Sequence, residues 1–321
     1  MFKTKVTEIL GIQYPIIQGA MLELSKAEMV AAVSNAGALG ILSSPTFPTK
    51  EEFRQEVRKT KSLTLKPFAV NVVFLPVARE IPNDDYIEVI LEEGVKVVET
   101  VGPIQASLIE RLHKAGIICL HKVTSVEHAL VAERRGVDAV TIEGYECAGH
   151  PGMDRVSSLV LIQRTVQEVK IPVIAGGGFV DGKGLVAALA LGAEAILMGT
   201  RFFVTQECPA HPNMKEWCLK ANETDTIFCL TSLRNPARFM RTELAERVLG
   251  MEARGAGLQE LLRVISGQRY KKLLESGNFN DGVCTSGQCV GLIHDIPSVK
   301  ELISRIIMEA AEVSKRLNVM S

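Results

Sequence analysis

The densest concentration of reactive groups in the sequence is Glu143-Gly144-Tyr145-Glu146-Cys147-Ala148-Gly149-His150-Pro151-Gly152. Two carboxylates, a thiol and an imidazole share these ten residues with three glycines and a proline. An imidazole exchanges protons near neutral pH. His150 lies between a glycine and a proline in a loop that follows an apolar run, which favours proton transfer over the structural role a lone histidine more often has. Cys147 has no base at a fixed spacing, which argues against a nucleophilic thiol. The six histidines form no ligand-spaced cluster, so no metal centre is expected. His113 and His128 read as surface residues, and His121 as a residue lining a site.

A second kind of chemistry is written in the glycines. Gly176-Gly177-Gly178 and Gly199-Thr200 each follow a short apolar run. Adjacent glycines let backbone N–H groups approach an anion, and a helix N-terminus behind them adds a favourable dipole. This pattern points to a phosphate; tight turns alone are the alternative. Gln18 and Asn71 are amides at the ends of apolar runs, where an unpartnered polar group is costly. The edge of a polar heterocycle would satisfy them, as would loop backbone. Lys122 would stabilise negative charge on such a ring, or stand at a solvated rim.

The elements that must position these groups recur along the chain. Eight short β-rich runs appear, at 15–19, 39–42, 68–72, 96–100, 117–121, 139–142, 172–175 and 195–198. Their starts are about 20–35 residues apart, room for a strand, a helix and two short loops. The runs are apolar throughout, as parallel strands covered on both faces are. Helix punctuation separates them: Ser25 with Glu28 and Thr49 with Glu52 read as capping boxes, Ser125 and Asp181 as further N-caps, and Gly37, Gly136 and Gly192 as stops. Eight consecutive units without a GxGxxG after the first strand favour a closed (β/α)8 TIM barrel, of class α/β, over a doubly wound sheet. In that fold the site is built at the C-terminal strand ends, and the loops after strands seven and eight are the usual phosphate grip.

After Gly199 the rhythm stops. Residues 212–280 read as helical, interrupted at Asn235-Pro236, and a final amphipathic helix is expected from about Ser298 to Leu317. The expected organisation is a phosphate-binding barrel over 1–205, a helical excursion beside the barrel mouth over 206–290, and a helix closing the barrel over 291–321, all in one structural domain.

Bulk properties narrow the class. Of the 321 residues, 36 are Lys or Arg and 37 are Asp or Glu, giving a formal net charge of −1 with no basic cluster. Neither nucleic acid nor an anionic membrane is an expected partner. Lys3 and Lys5 lead into Thr7-Glu8 rather than an apolar run, so no signal peptide is expected. Seven cysteines without a CxxC pair suit a reducing cytoplasm. A homodimer is compatible with the chain, though no sequence feature specifies one.

Five stretches in order make the chain resemble the nitronate monooxygenase family, formerly called 2-nitropropane dioxygenases: Pro15-Ile16-Ile17-Gln18-Gly19-Ala20-Met21, Pro67-Phe68-Ala69-Val70-Asn71, Glu146 to Gly152, Pro172 to Gly178, and Met198-Gly199-Thr200-Arg201-Phe202. The resemblance implies a TIM barrel with noncovalent FMN. The implied cofactor set is Gln18, Gly19, Ala20, Met21, Asn71, Lys122, Glu143, Gly149, Gly176, Gly177, Gly178, Met198, Gly199 and Thr200, with His150 catalytic on the substrate side. Ala20 departs from the second glycine that relatives often carry. Three activities are implied: oxidation of alkyl nitronates with O2 through reduced flavin, NAD(P)H:quinone reduction, and flavin-dependent enoyl-acyl carrier protein reduction. The Glu146–Gly152 loop and Ser232-Leu233-Arg234-Asn235 resemble the quinone reductase branch, while Cys147-Ala148-Gly149-His150 departs from the Ala-Gly-Gly-His of the third.

Overall fold

The computed structural model describes residues 2–74 and 82–319. All eight apolar runs form strands: β1 (Ile16–Gln18), β2 (Leu39–Ser43), β3 (Phe68–Val73), β4 (Val97–Val101), β5 (Ile118–Val123), β6 (Ala139–Glu143), β7 (Val173–Gly176) and β8 (Ala195–Met198). Each pairs in parallel with the next, and β8 returns to β1, closing the barrel. A first helix, α1 (Lys5–Leu10), precedes β1. The helices between strands are α2 (Ala27–Asn35), α3 (Lys50–Leu63), α4 (Asn83–Glu92), α5 (Ala106–Lys114), α6 (Val126–Arg135), α7 (Ser158–Glu168) and α8 (Gly182–Ala190).

The caps explain where most helices start. Thr49 and Glu52 form the reciprocal box at α3, Ser125 accepts from the His128 N–H at α6, and Asp181 accepts from the Gly184 N–H at α8. Ser25 does not cap α2: Lys26 holds that position without a side-chain bond. The Ala27 N–H is instead satisfied by Glu56 of α3 at 2.7 Å, which releases the Ser25 hydroxyl for the β1 loop.

Strand alternation divides the side chains into two cores. Ile17, Leu39, Ile41, Ala69, Val97, Leu120, Ala139, Ile174, Ala195 and Leu197 fill the barrel, closed below by Val6 and Leu10 of α1. Intervening residues such as Val70, Val98, Val140 and Ile196 pack outward under the helices. The inward positions turn polar toward the C-terminal ends, where Asn71, Glu99, Lys122, Thr141 and Glu143 continue the rows of Ala69, Val97, Leu120 and Ala139. The barrel is thus apolar at its base and polar at its mouth.

Beyond β8 come α9 (Thr200–Phe203) and α10 (Pro212–Lys220). The segment read as helical then contains an antiparallel hairpin, β9 (Thr226–Cys229) and β10 (Ala237–Met240), with Asn235-Pro236 in its connection. Four-residue strands are too short for periodicity to reveal. Helices α11 (Glu243–Ala253), α12 (Leu258–Ile265) and α13 (Gly267–Ser276) follow. Ile227, Phe239, Leu244, Val248 and Leu261 form a small core of their own here. Finally α14 (Val299–Val319) lies against α8 and α2. A Cβ at Gly182 would come within 2.4 Å of the Ala310 nitrogen, so the close α8–α14 contact requires glycine. Among the described residues, no helix is long and apolar enough to cross a membrane.

Candidate functional site

The glycine turns after β7 and β8 lie on neighbouring strands at the polar end of the barrel. Gly177 and Gly178 have φ of 90° and 89°, a left-handed conformation that side chains disfavour. A Cβ on Gly177 would also meet the Ser158 hydroxyl at 2.9 Å, whereas one on Gly199 would project into open space. The turn is braced by Ser158, whose hydroxyl lies 2.9 Å from both the Gly177 carbonyl and the Glu146 carboxylate. Glu146 also accepts from the Ser158 N–H at 2.9 Å, so this loop carboxylate works as a brace. The Thr200 hydroxyl accepts from the Gly287 N–H at 3.0 Å. Among the described residues, the N–H groups of Gly177, Gly178, Gly199 and Thr200 donate to no protein carbonyl. The N–H groups of Gly177, Gly199 and Thr200, with that of Gly178 lying against the Cys289 sulfur, surround an open Cβ direction at Gly199 and make a cradle that suits the oxygens of a phosphate.

Inside the mouth is a charged cluster. Asn71 donates to Glu99 at 2.7 Å, and the Lys122 ammonium lies 3.5 Å from the same carboxylate oxygen. Glu99 is fully buried, and its other oxygen has no protein partner; neither does the inward hydroxyl of Thr141. Burial alone would push Lys122 down, but Glu99 and Glu143 outweigh it and hold the ammonium well above its ordinary value. Burial pushes the Glu143 carboxyl up, Lys122 opposing and Glu99 reinforcing. Buried polar atoms left over in a native site point to a polar ligand.

His150 lies on the β6–α7 loop with an exposed edge. Its Nδ1 is 2.9 Å from the carbonyl oxygen of Pro236. A carbonyl only accepts, so Nδ1 carries the proton and Nε2 presents its lone pair. Burial lowers the imidazole pKa from its ordinary value, with the Pro236 bond opposing, so the ring is neutral at pH 7. The loop is held by the hairpin: the Arg238 N–H donates to the Gly149 carbonyl at 2.7 Å. Cys147 is buried and its thiol pushed well above the ordinary value, mainly by burial, so it remains protonated.

Asn71, Lys122 and Glu143 come together on the inner surface, with the glycine cradle on the adjoining strand ends. Gln18 faces the other way. Its amide donates to Ser25 at 2.8 Å and accepts from the Ile41 N–H at 3.2 Å, while Ser25 accepts from the Met21 N–H at 2.8 Å. Gln18 therefore braces the Gly19–Met21 loop from behind, leaving Ala20 and Met21 half-buried at the mouth. Met198 also packs outward and offers its carbonyl, which accepts from the Gly19 N–H at 3.0 Å. His121 does not line the mouth. Strand β5 extends through Lys122, and because Lys122 points inward His121 must point outward. There it is buried, with Nδ1 2.8 Å from the Thr100 hydroxyl and its pKa lowered to about 4, chiefly by burial.

Four residues were missed from sequence. Glu99 had a visible signal, a carboxylate inside an apolar strand. Thr141 resembled any strand threonine. Pro236 and Arg238 gave none, because they reach the loop from nearly ninety residues further along the chain. Among the described residues, one metal-type grouping, His113, Cys119 and Asp138, lies near the opposite end of the barrel. Its members already bond one another: Asp138 accepts from the Cys119 N–H at 2.7 Å and lies 2.9 Å from His113 Nε2.

The family model for nitronate monooxygenase matches residues 3–309. The chain belongs to the nitronate monooxygenase family. It is an oxidoreductase of a flavin-dependent family whose substrates are small molecules. It is 34% identical to (3aS,4S,5R,7aS)-5-hydroxy-7a-methyl-1-oxo-octahydro-1H-indene-4-carboxyl-CoA dehydrogenase of Mycobacterium tuberculosis, covering 96% of each chain. FabK from Thermotoga maritima superposes with a TM-score of 0.93 and 35% identity, covering all of both chains. A nitroalkane oxidase from Streptomyces ansochromogenes gives 0.84 at 26% identity, covering 97% of this chain and 99% of that one.

Proposed function

We propose that the chain is an FMN enzyme that oxidises small alkyl nitronates or their parent nitroalkanes with O2. The observation that carries this reading is the anchored imidazole of His150, whose Nδ1 is engaged by the Pro236 carbonyl so that Nε2 is left available as a base. A nitroalkane has an acidic α-proton, and a base suited to it must be unprotonated at working pH. His150 Nε2 takes that proton, or orients the anion when nitronate itself is the substrate. The FMN phosphate is held by the N–H groups of Gly177, Gly178, Gly199 and Thr200, with Gly176 leading the backbone into the turn. Asn71, Lys122 and Glu143 face the polar edge of the ring, and the Lys122 charge favours extra electron density there. Gly19, Ala20, Met21, Met198 and Gly149 line it through backbone and loop contacts, with Gln18 as their brace. When bound, the flavin supplies the acceptor for the substrate's electrons.

The test is anaerobic reduction of the purified yellow protein, with NADH, NADPH and an alkyl nitronate added separately. Bleaching by the nitronate and recolouring with O2 is the expected result. A protein that stays colourless with added FMN would sink the reading. Bleaching by NADH alone, followed by reoxidation with a quinone, would replace it with NAD(P)H:quinone reduction at the same site. One observation favours that second reading: Ser232 to Asn235 lead into Pro236, the residue that touches His150. Arg234 in that segment is exposed and has no ion pair among the described residues, so it is available for a nucleotide phosphate.

A further inference from the structure

We infer that Arg238 is the positioning residue for His150, making the β9–β10 hairpin part of the active site rather than a cover beside it. The inference rests on the reading of His150 as the proton-handling group. Arg238 lies on β10, opposite Phe228 of β9. It is only 2% exposed, and among the described residues no carboxylate lies within ion-pair distance of it. Burying a guanidinium without a counter-charge is costly, and a well-packed apolar side chain fills such a space more cheaply.

What arginine provides here is a fork and a plane. Its Nη2 donates to the Tyr145 carbonyl at 2.8 Å and Nη1 to the Thr226 hydroxyl at 3.1 Å. The guanidinium carbon lies 4.3 Å from the centre of the Tyr145 ring and 5.6 Å from that of Phe228. The backbone N–H of the same residue donates to the Gly149 carbonyl at 2.7 Å. One residue therefore grips the first and last carbonyls of the Tyr145–Gly149 segment, immediately ahead of His150. Two positions earlier on the same strand entry, the Pro236 carbonyl sets the imidazole tautomer.

The loop needs this grip. Gly149 and Gly152 flank His150 with φ of 73° and 78°, and a Cβ on Gly149 would meet nothing within 4 Å. Neither side-chain packing at Gly149 nor a regular element within the loop itself holds the imidazole in place. The hairpin does so from 86 residues away. Lysine carries the charge but has neither the planar fork nor the face that stacks on Tyr145.

The experiment compares Arg238→Met, Arg238→Lys and His150→Gln in the flavin-loaded protein. Two readouts are used: the side-chain 15N tautomer signal of His150, assigned by its loss in His150→Gln, and the separate kcat and KM of whichever donor bleaches the flavin. The wild type is expected to show a single Nδ1–H tautomer. Arg238→Met is expected to lose it and to lower kcat by about 100-fold, the scale of an ångström misplacement, with KM changed far less. Arg238→Lys, which keeps the buried charge if the methionine variant does not fold, is expected to follow it closely. A wild-type tautomer and kcat in either variant would overturn the inference. Full turnover in His150→Gln removes the base role itself and with it the positioning role. Inactivity of that variant beside unaffected Arg238 variants overturns the inference alone.

Discussion

The glycine cradle and the His150 loop are two halves of one barrel mouth, built in opposite ways. The cradle is local in its backbone, with Ser158, Glu146 and Gly287 bracing it from outside. Gly177, Gly178, Gly199 and Thr200 directly follow their strands, and their backbone is shaped by glycine itself. The His150 loop is assembled from a distance, by Pro236 and Arg238 of a hairpin inserted after the eighth strand. A local site survives changes elsewhere in the chain, whereas an assembled one can be retuned from outside. Under the proposed function, anchoring would belong to the barrel and reaction choice to the excursion.

The sharpest way to break that division is to remove the imidazole. His150→Ala is expected to keep its flavin and to lose about 100- to 10,000-fold in turnover, the range for a general base. Flavin content and kcat measured on the same preparation check this. Loss of flavin together with turnover would merge the two halves into one. The pH profile sharpens the same point. Burial lowers the His150 pKa, so the basic form persists below the ordinary imidazole range. For a neutral nitroalkane, the acid limb of kcat/KM is expected at lower pH than the ordinary imidazole value would place it.

The two halves were also unequally legible in the sequence. The eight strands, three of the four caps and the cradle glycines could be read because each depends on neighbours within a few residues. The inward face could be read only where alternation was applied strictly: it separates Lys122 from His121, and Asn71 from Gln18, amides that looked alike as strand ends. The Glu99 carboxylate was visible as an anomaly without an assigned partner. Pro236 contributes a backbone carbonyl, and any residue type has one, so no residue pattern could have exposed it.

Two glycines test whether the cradle is as local as it appears. Gly199→Ala places its Cβ in open space. It is expected to leave urea stability within about 0.5 kcal/mol, as unstrained substitutions do. Its flavin affinity should fall at least tenfold, because the methyl occupies the side where the phosphate approaches. Gly177→Ala forces φ of 90° and a 2.9 Å contact with Ser158. That strain is expected to cost about 1–3 kcal/mol in addition to flavin. Equal stabilities for the two variants would refute the distinction.

Acid sensitivity offers a control outside both halves. His121 is neutral in the fold, with a pKa of about 4 against an ordinary value near 6.5. Between those values the unfolded chain takes a proton that the folded chain refuses, so stability falls as pH falls. The expected loss between pH 7 and pH 5 is about 2 kcal/mol, read as a shift in urea midpoint. His121→Gln should remove most of that loss while leaving the His150 rate profile in place. If the two profiles move together, the shell and the site are coupled more tightly than their separate cores suggest.

The smallest expected effect is the most discriminating for the polar lining. The Thr141 hydroxyl is buried, faces inward and has no protein partner, at a cost of about 1–3 kcal/mol for an unsatisfied group. Thr141→Val keeps the shape and removes the hydroxyl. If that hydroxyl serves only the protein, the flavin-free form gains stability and flavin affinity is unchanged. If it serves the ligand, the flavin-free form still gains stability, but affinity falls by about fivefold to tenfold, one modest hydrogen bond. Extending the proposed lining to this unpartnered hydroxyl requires the second result, measured as a dissociation constant beside a urea curve for the same variant. Unchanged affinity would remove the centre of β6 from the cofactor site and leave Asn71, Lys122 and Glu143 to hold the ring.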